Sequence, residues 1–470
     1  MSPASVSQTA KIAPAGSQAS LVALLAAAAA GAGAALLPAG RLPLLGALVV
    51  SAAMLVATIA RPMLLLHLVV VAAASGAVLR QVEGFSVGGN EVTLSGLRWL
   101  AVGASAVLIM IIRRPAVRVR FALIPYAALV LWMAARCALS EAPLRGLEDV
   151  VIYAVPLLLV LFADAVTQPA DGRCLRRLER TLLASVVLPY GLYAVALAAG
   201  LEHMTADGPK GFVGSRPVAL MMLIVLAMAI GVGRYERAAA RRWAALASGI
   251  AAVGLILFTA SRAASLVAML LVASAGVDPT RLVAAGRRLL FGLVLAVLVL
   301  VSVPSLRARM FYFDPASVSE AVEGFNLSGR NKMWSIVLER ARQRPIAGWG
   351  PGTVRPIIAE TLQWKHKQVP PREYPPHNEY LQVLHDGGAI GLALLLSTAI
   401  TLLAAYLRLW RRCHRRSDPV AARWAYTAFV SLGAVALTAT IDNTLHYFVV
   451  MCPALVVAGC ARRLADDGSR

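Results

Sequence analysis

The stretch Pro375-Pro376-His377-Asn378-Glu379-Tyr380 joins a residue that moves protons to a local frame that holds it. Imidazole titrates near physiological pH, so a fixed histidine accepts or releases a proton where most side chains do not. Two prolines disfavour helix ahead of His377, Glu379 suits the positive end of a helix, and that helix runs on to Gly387-Gly388. His377 is therefore expected as a helix-start residue. It should share a face with Tyr380, Leu381 and Leu384 at an apolar surface, with Glu379 and Asp386 pointing elsewhere. Arginine brings a second chemistry, because its planar fork binds phosphate oxygens and keeps its charge. Arg216, in Gly214-Ser215-Arg216-Pro217, and Arg262, in Thr259-Ala260-Ser261-Arg262-Ala263, sit at the ends of apolar runs. Charge placed there calls for a partner or an anionic ligand. Arg330 lies in a basic stretch with Lys332, Arg340, Arg342, Arg344 and Arg355. Asp442, in Thr440-Ile441-Asp442-Asn443-Thr444, can orient a histidine, pair an arginine or simply make a turn.

The elements that must position these groups are membrane helices. A chain of 470 residues that is 59% hydrophobic and 15% charged does not describe a soluble globular protein, and its mean hydropathy is +0.72. Apolar runs occur near 21–37, 42–60, 63–79, 94–112, 121–139, 147–166, 178–200, 214–233, 243–259, 262–276, 285–303, 389–410, 421–441 and 444–461. Each is long enough to cross hydrocarbon as helix, giving about 12 to 14 spans. The run at 21–37 is read as a retained helix and not a cleaved signal peptide, since it has few flanking charges and further spans follow at once. The five cysteines show no C-x-x-C pair, and no metal-ligand pattern appears.

The net charge of +21 falls in clusters between apolar runs, which is the pattern of cytoplasmic loops and not of a nucleic-acid surface. Such clusters include Arg113 and Arg114, Arg176 and Arg177, Arg241 and Arg242, Arg287 and Arg288, and Arg411 and Arg412. The positive-inside rule places them and both termini in the cytoplasm. Arg216, Arg262, His377 and the polar stretch of about seventy residues from Pro304 to Pro376 then face the other side. The expected organisation is a tail over 1–20, a helix bundle over 21–303, an extracytoplasmic loop domain over 304–388, C-terminal helices over 389–461 and a tail over 462–470. The basic excess of the loop suits an anionic ligand. Trp334, Trp349 and Trp364 are read as interface anchors ahead of sugar-stacking platforms.

Several motifs together carry a resemblance. Ser328-Gly329-Arg330-Asn331-Lys332-Met333-Trp334 is followed by Arg344-Pro345-Ile346-Ala347-Gly348-Trp349-Gly350-Pro351-Gly352, then by Pro376-His377-Asn378-Glu379-Tyr380-Leu381-Gln382 and Gly387-Gly388-Ala389-Ile390-Gly391. With Ser261-Arg262 upstream, this order resembles the O-antigen ligase and O-antigen polymerase superfamily over roughly residues 200 to 450, its ligase members best. The resemblance implies an all-α polytopic protein of the bacterial inner membrane, GT-C-like, with its active site on the periplasmic face. It implies an inverting glycosyltransferase that needs no nucleotide sugar, metal or other cofactor. The donor would be polysaccharide on undecaprenyl pyrophosphate and the acceptor the lipid A-core. Arg262, Arg330 and His377 match functional positions of the family; Arg216 and Asp442 match less distinctively, with Asp442 and Asn378 as orienting or acceptor-side candidates. His385 is not carried over.

The residues fit that chemistry on their own terms. A lipid pyrophosphate leaving group needs cations for its developing charge, and an acceptor hydroxyl needs a base for its proton. A polymerase or a protein O-oligosaccharyltransferase would use the same donor, and a transporter would also explain many spans. A transporter, however, is expected to carry intramembrane acids or broken helices in matching halves, whereas these ionisable groups gather at one face.

Overall fold

The computed structural model describes residues 56–75, 85–87, 90–92, 94–117, 121–167, 172–205, 208–211, 215–259, 261–302, 330–365 and 375–467. The tail over 1–20, the run at 21–37 and the greater part of the run at 42–60 lie outside the described residues, as do 303–329 and 366–374 of the long polar stretch.

The chain folds as helices: α1 Met63–Ala74, α2 Leu94–Arg113, α3 Ile124–Ala138, α4 Pro143–Val166, α5 Gly172–Ala184, α6 Val187–Ala198, α7 Ser215–Tyr235, α8 Ala239–Phe258, α9 Arg262–Ser274, α10 Leu282–Ser302, α11 Arg330–Gln343, α12 Val354–Lys365, α13 Glu379–Arg415, α14 Pro419–Thr438 and α15 Phe448–Asp467. Two antiparallel hairpins interrupt them, β1 Phe85–Val87 with β2 Asn90–Val92 and β3 Glu202–Thr205 with β4 Gly208–Gly211. Among the described residues eight helical segments are long and apolar enough to cross a membrane, and three apolar helices are shorter. The all-α polytopic class expected from composition is therefore the observed one.

Apolar character all round a helix tells where it sits. In α7, residues Val218 to Met228 are all buried, and in α15 the face running Cys452 to Ala461 is buried against α4, α14 and α7. By contrast α3 and α8 leave Leu131, Trp243 and Ile250 exposed, as a helix bordering lipid would. The run expected at 178–200 is two helices, α5 and α6, parted by a turn at Ser185–Val186.

The run expected at 389–410 is part of a longer element. α13 has 37 residues and includes both the short helix after His377 and the apolar span, joined through Gly388 at φ 66° and ψ −163°. A side chain disfavours that backbone, and there is no room for one: a Cβ on Gly388 would lie 2.2 Å from the Ile346 carbonyl oxygen. Gly348, at φ 72°, fills the other side of the same crossing, where a Cβ would lie 2.6 Å from the Asp386 carbonyl. The Gly-Trp-Gly-Pro-Gly loop between α11 and α12 thus lies backbone to backbone against the kink. Trp349 N donates to the His385 carbonyl and Gly350 N to that of Asp386, both at 2.9 Å. Those bonds use carbonyls that the kink releases from the helix.

Candidate functional site

His377 does not begin the helix; it stands one residue before the cap. Its φ is 51°, uncommon for a residue with a Cβ and seen where surrounding structure fixes the backbone. Asn378 is the N-cap, its side-chain oxygen accepting from Leu381 N at 3.1 Å. That gives Asn378 a local structural task, and with His377 ahead of the cap at non-helical φ, the helical spacing that grouped it with Tyr380, Leu381 and Leu384 does not apply to it. Trp334 Nε1 donates to the Pro376 carbonyl at 2.8 Å, so α11 holds the approach to His377 directly.

His377 meets Asp442, Nδ1 to Oδ1 at 3.2 Å. The histidine side chain is 18% exposed and the aspartate 6%. A carboxylate only accepts, so Nδ1 carries the hydrogen and Nε2 is left as the basic nitrogen. Asp442 also accepts from Tyr447 Oη at 3.1 Å and from Asn443 N at 2.9 Å. Burial works to raise this carboxyl, but the hydrogen bond and charge of His377, together with Arg216 and Arg330, hold it below its ordinary value.

Arg330, the first residue of α11, donates to the Ile441 carbonyl at 2.5 Å beside Asp442. Burial, then the like charge of Arg216 against the opposing Asp442, then the like charge of Arg262, lowers the Arg330 guanidinium from its usual value. The three arginines singled out in the sequence therefore converge from three places: the start of α7, the start of α9 and the start of α11. The Arg216 side chain is exposed, and those of Arg262 and Arg330 are half-buried. Three cations near one histidine–aspartate pair are an arrangement that can hold a polyanion beside a base.

A second layer, absent from the sequence reading, lies directly behind this pair. Glu379 is fully buried, not merely a partner for the helix dipole. It accepts from Tyr153 Oη at 2.6 Å and lies 3.1 Å from His446 Nδ1. His446 Nε2 is 3.2 Å from Asp149 Oδ1, and Asp149 also accepts from Gly352 N at 3.1 Å and from Arg355 at 3.4 Å. The signal in the sequence was Asp149 itself, an acid inside an apolar run. Trp334 and Trp349, read as interface anchors, have internal tasks instead: Trp349 donates to the Arg340 carbonyl, while the Arg340 and Arg344 guanidiniums stack on its ring at 3.6 and 3.9 Å.

Residues 247–396 match the O-antigen ligase family. The O-antigen ligase segment begins in α8 and ends past the kink of α13, so it contains Arg262, Arg330 and His377, while Arg216 and Asp442 flank it in sequence and meet it in space. A search of curated proteins finds no match. The match supports an O-antigen ligase or polymerase type of function, that of a family of glycosyltransferase-like enzymes of lipopolysaccharide assembly whose substrates are in general lipid-linked polysaccharide and lipid A-core.

Proposed function

We propose that the chain is the ligase of this superfamily: it transfers O-antigen polysaccharide from undecaprenyl pyrophosphate to a terminal sugar of the lipid A-core. The observation that carries this reading is the His377–Asp442 contact at 3.2 Å with Arg216, Arg262 and Arg330 gathered around it. The arginines hold the pyrophosphate of the donor and stabilise the charge it gains as the sugar–phosphate bond breaks. His377 Nε2 accepts the proton of the acceptor hydroxyl, whose oxygen forms the new bond to the anomeric carbon from the face opposite the leaving group. Asp442 fixes the tautomer and supports the imidazolium that results. Undecaprenyl pyrophosphate departs with inversion at the anomeric carbon, and no metal enters this scheme.

The site faces the periplasm of the inner membrane in this reading, with both termini in the cytoplasm; the support is the arginine pattern. Arg411, Arg412, Arg415 and Arg416 lie at the far end of the 37-residue α13 from His377. Of the loop domain proposed over 304–388, the described parts, α11, the Gly-Trp-Gly-Pro-Gly loop and the segment from 375, meet the His377 end of α13. Single-cysteine labelling of spheroplasts tests the arrangement: positions in 330–365 should react with an impermeant reagent and positions near Arg412 should not. The reverse pattern would remove the mechanism. The reaction is tested in a deletion strain, which should accumulate long polymer on undecaprenyl pyrophosphate. Single repeat units accumulating there would mean a polymerase.

A further inference from the structure

The second layer is tied to both halves of the His377–Asp442 pair. Glu379 is two residues after His377 in the chain, and Asn443 and His446 follow Asp442 by one and four. The Asn443 side-chain amide lies 2.6 Å from that of Gln382, which in turn lies 3.0 Å from His446 Nε2. The same imidazole spans the gap between two carboxylates, Asp149 on α4 and Glu379 on α13. A single side chain therefore links the turn that carries Asp442, the cap region that carries His377, and α4. Through Asp149 it also reaches Gly352 and Arg355 at the loop that braces the kink.

We propose that His446 is a positioning residue of the transfer site, an imidazole clamped between Asp149 and Glu379 that sets the spacing of Asp442 from His377. This deepens the ligase reading and rests on it. The imidazole is nearly fully buried, with a side chain 6% exposed, and the side chains of Asp149 and Glu379 are 4% and 0% exposed. Two buried carboxylates at this separation need a cation between them, and the described groups that face the ring supply one answer. From α4 they are Asp149 and Tyr153, from α13 Glu379, Gln382 and Asp386, and from α12, through Asp149, Arg355. Burial disfavours protonation of His446, but the Glu379 charge and the hydrogen bonds to Asp149 and Glu379 push it up to about 10. Both nitrogens then donate to carboxylates, and the Gln382 and Asn443 amides turn end for end together, so that Gln382 presents its oxygen to the ring and its nitrogen donates to Asn443 Oδ1, an oxygen otherwise buried without a partner. An imidazolium bound on two sides has one orientation, so it fixes distance as well as charge. A neutral polar residue of similar size satisfies neither carboxylate fully.

The test uses the full-length protein in nanodiscs with polysaccharide-linked undecaprenyl pyrophosphate and lipid A-core, and undecaprenyl pyrophosphate alone as the binding probe. His446→Gln is expected to lower kcat by about 10²-fold, the scale of a misplaced catalytic group, while the affinity for undecaprenyl pyrophosphate stays at the parental value. Glu379→Gln combined with His446→Gln restores the charge balance. It should recover folded yield but not kcat, which keeps the test open where the single variant folds poorly. Parental kcat in either variant, or kcat and donor affinity falling together, would overturn the positioning role. The structure of the double variant gives a readout independent of turnover: the His377–Asp442 contact should part, and its survival unchanged would equally overturn the proposal. If the contact parts but the parent protein transfers no polysaccharide, the ligase reading fails and the positioning role stands.

Discussion

The two ends of the bundle treat clustered arginine in opposite ways. At the end away from His377, Arg423 in α14 has a side chain only 3% exposed and is closed in by acids. Its Nη2 lies 2.9 Å from Glu179 Oε2, an ion pair short of hydrogen-bond geometry, and its Nη1 donates to Glu236 Oε2 at 3.2 Å. Arg241 donates to the same Glu236 oxygen. Burial works to raise the Glu236 carboxyl, but bonds from Ala238 N, Arg241 and Arg423 hold it at about 2. At the His377 end, Arg216, Arg262 and Arg330 act on one another, and among the described residues Asp442 is the carboxylate set against them. One cluster is neutralised inside the protein and fastens helices. The other gathers three arginines about the single described carboxylate of Asp442. The position of arginine in an apolar sequence does not separate these roles; the acids that reach it do.

Breaking the second cluster should have the largest effect on transfer. Arg330→Ala should abolish transfer in a purified ligation assay while the protein still inserts, and Arg330→Lys should recover it only in part, because a point charge lacks the fork. Full activity of the lysine variant would mean that bulk charge suffices and that the two ends differ less than their geometry implies. His377→Ala comes next. The transfer rate should fall on the order of a hundredfold or more, with binding of undecaprenyl pyrophosphate, left to the arginines, little changed. Loss of donor binding in that variant would move His377 from the base role into the anion-binding group.

The first cluster should answer in stability and not in chemistry. Arg423→Ala leaves the buried Glu179 without the cation beside it and Glu236 with Arg241 alone, and should cost about 3–5 kcal/mol, the usual cost of breaking a buried pair. Detergent melting should show that cost, and the fraction that remains folded should turn over like the parent. A defect in rate per folded molecule would join the two ends functionally and undo the contrast.

The smallest effect concerns pH. A histidine whose folded value is raised contributes stability that is fully present below its unfolded value, about 6.5, and is lost as pH rises through about 10. The melting temperature of the parent should therefore decline between these limits, and that of His446→Gln should decline less. Parallel alkaline profiles for the two proteins would place the charge of the second layer elsewhere.

The sequence by itself determined what local chemistry and hydropathy can determine. Composition fixed the polytopic helical class, because no soluble core accommodates so many apolar runs. Two prolines, Glu379 and Gly387-Gly388 bounded the short helix after His377, because each acts on its neighbours in the chain. Motif order pointed to Arg262, Arg330 and His377. Tertiary structure decided the rest. It made the short helix and the following span one kinked α13, because the Gly-Trp-Gly-Pro-Gly loop accepts the backbone at the bend. It set His377 ahead of the cap at positive φ, facing Asp442 from 65 positions away, which helical periodicity has no means to indicate. It gave Glu379, read as a helix-end charge, a buried place between Tyr153 and His446, and it joined His446 to Asp149 across 297 positions. Pairings at such separations depend on which helix faces pack together, and an apolar sequence with many similar spans leaves that choice to the assembled bundle.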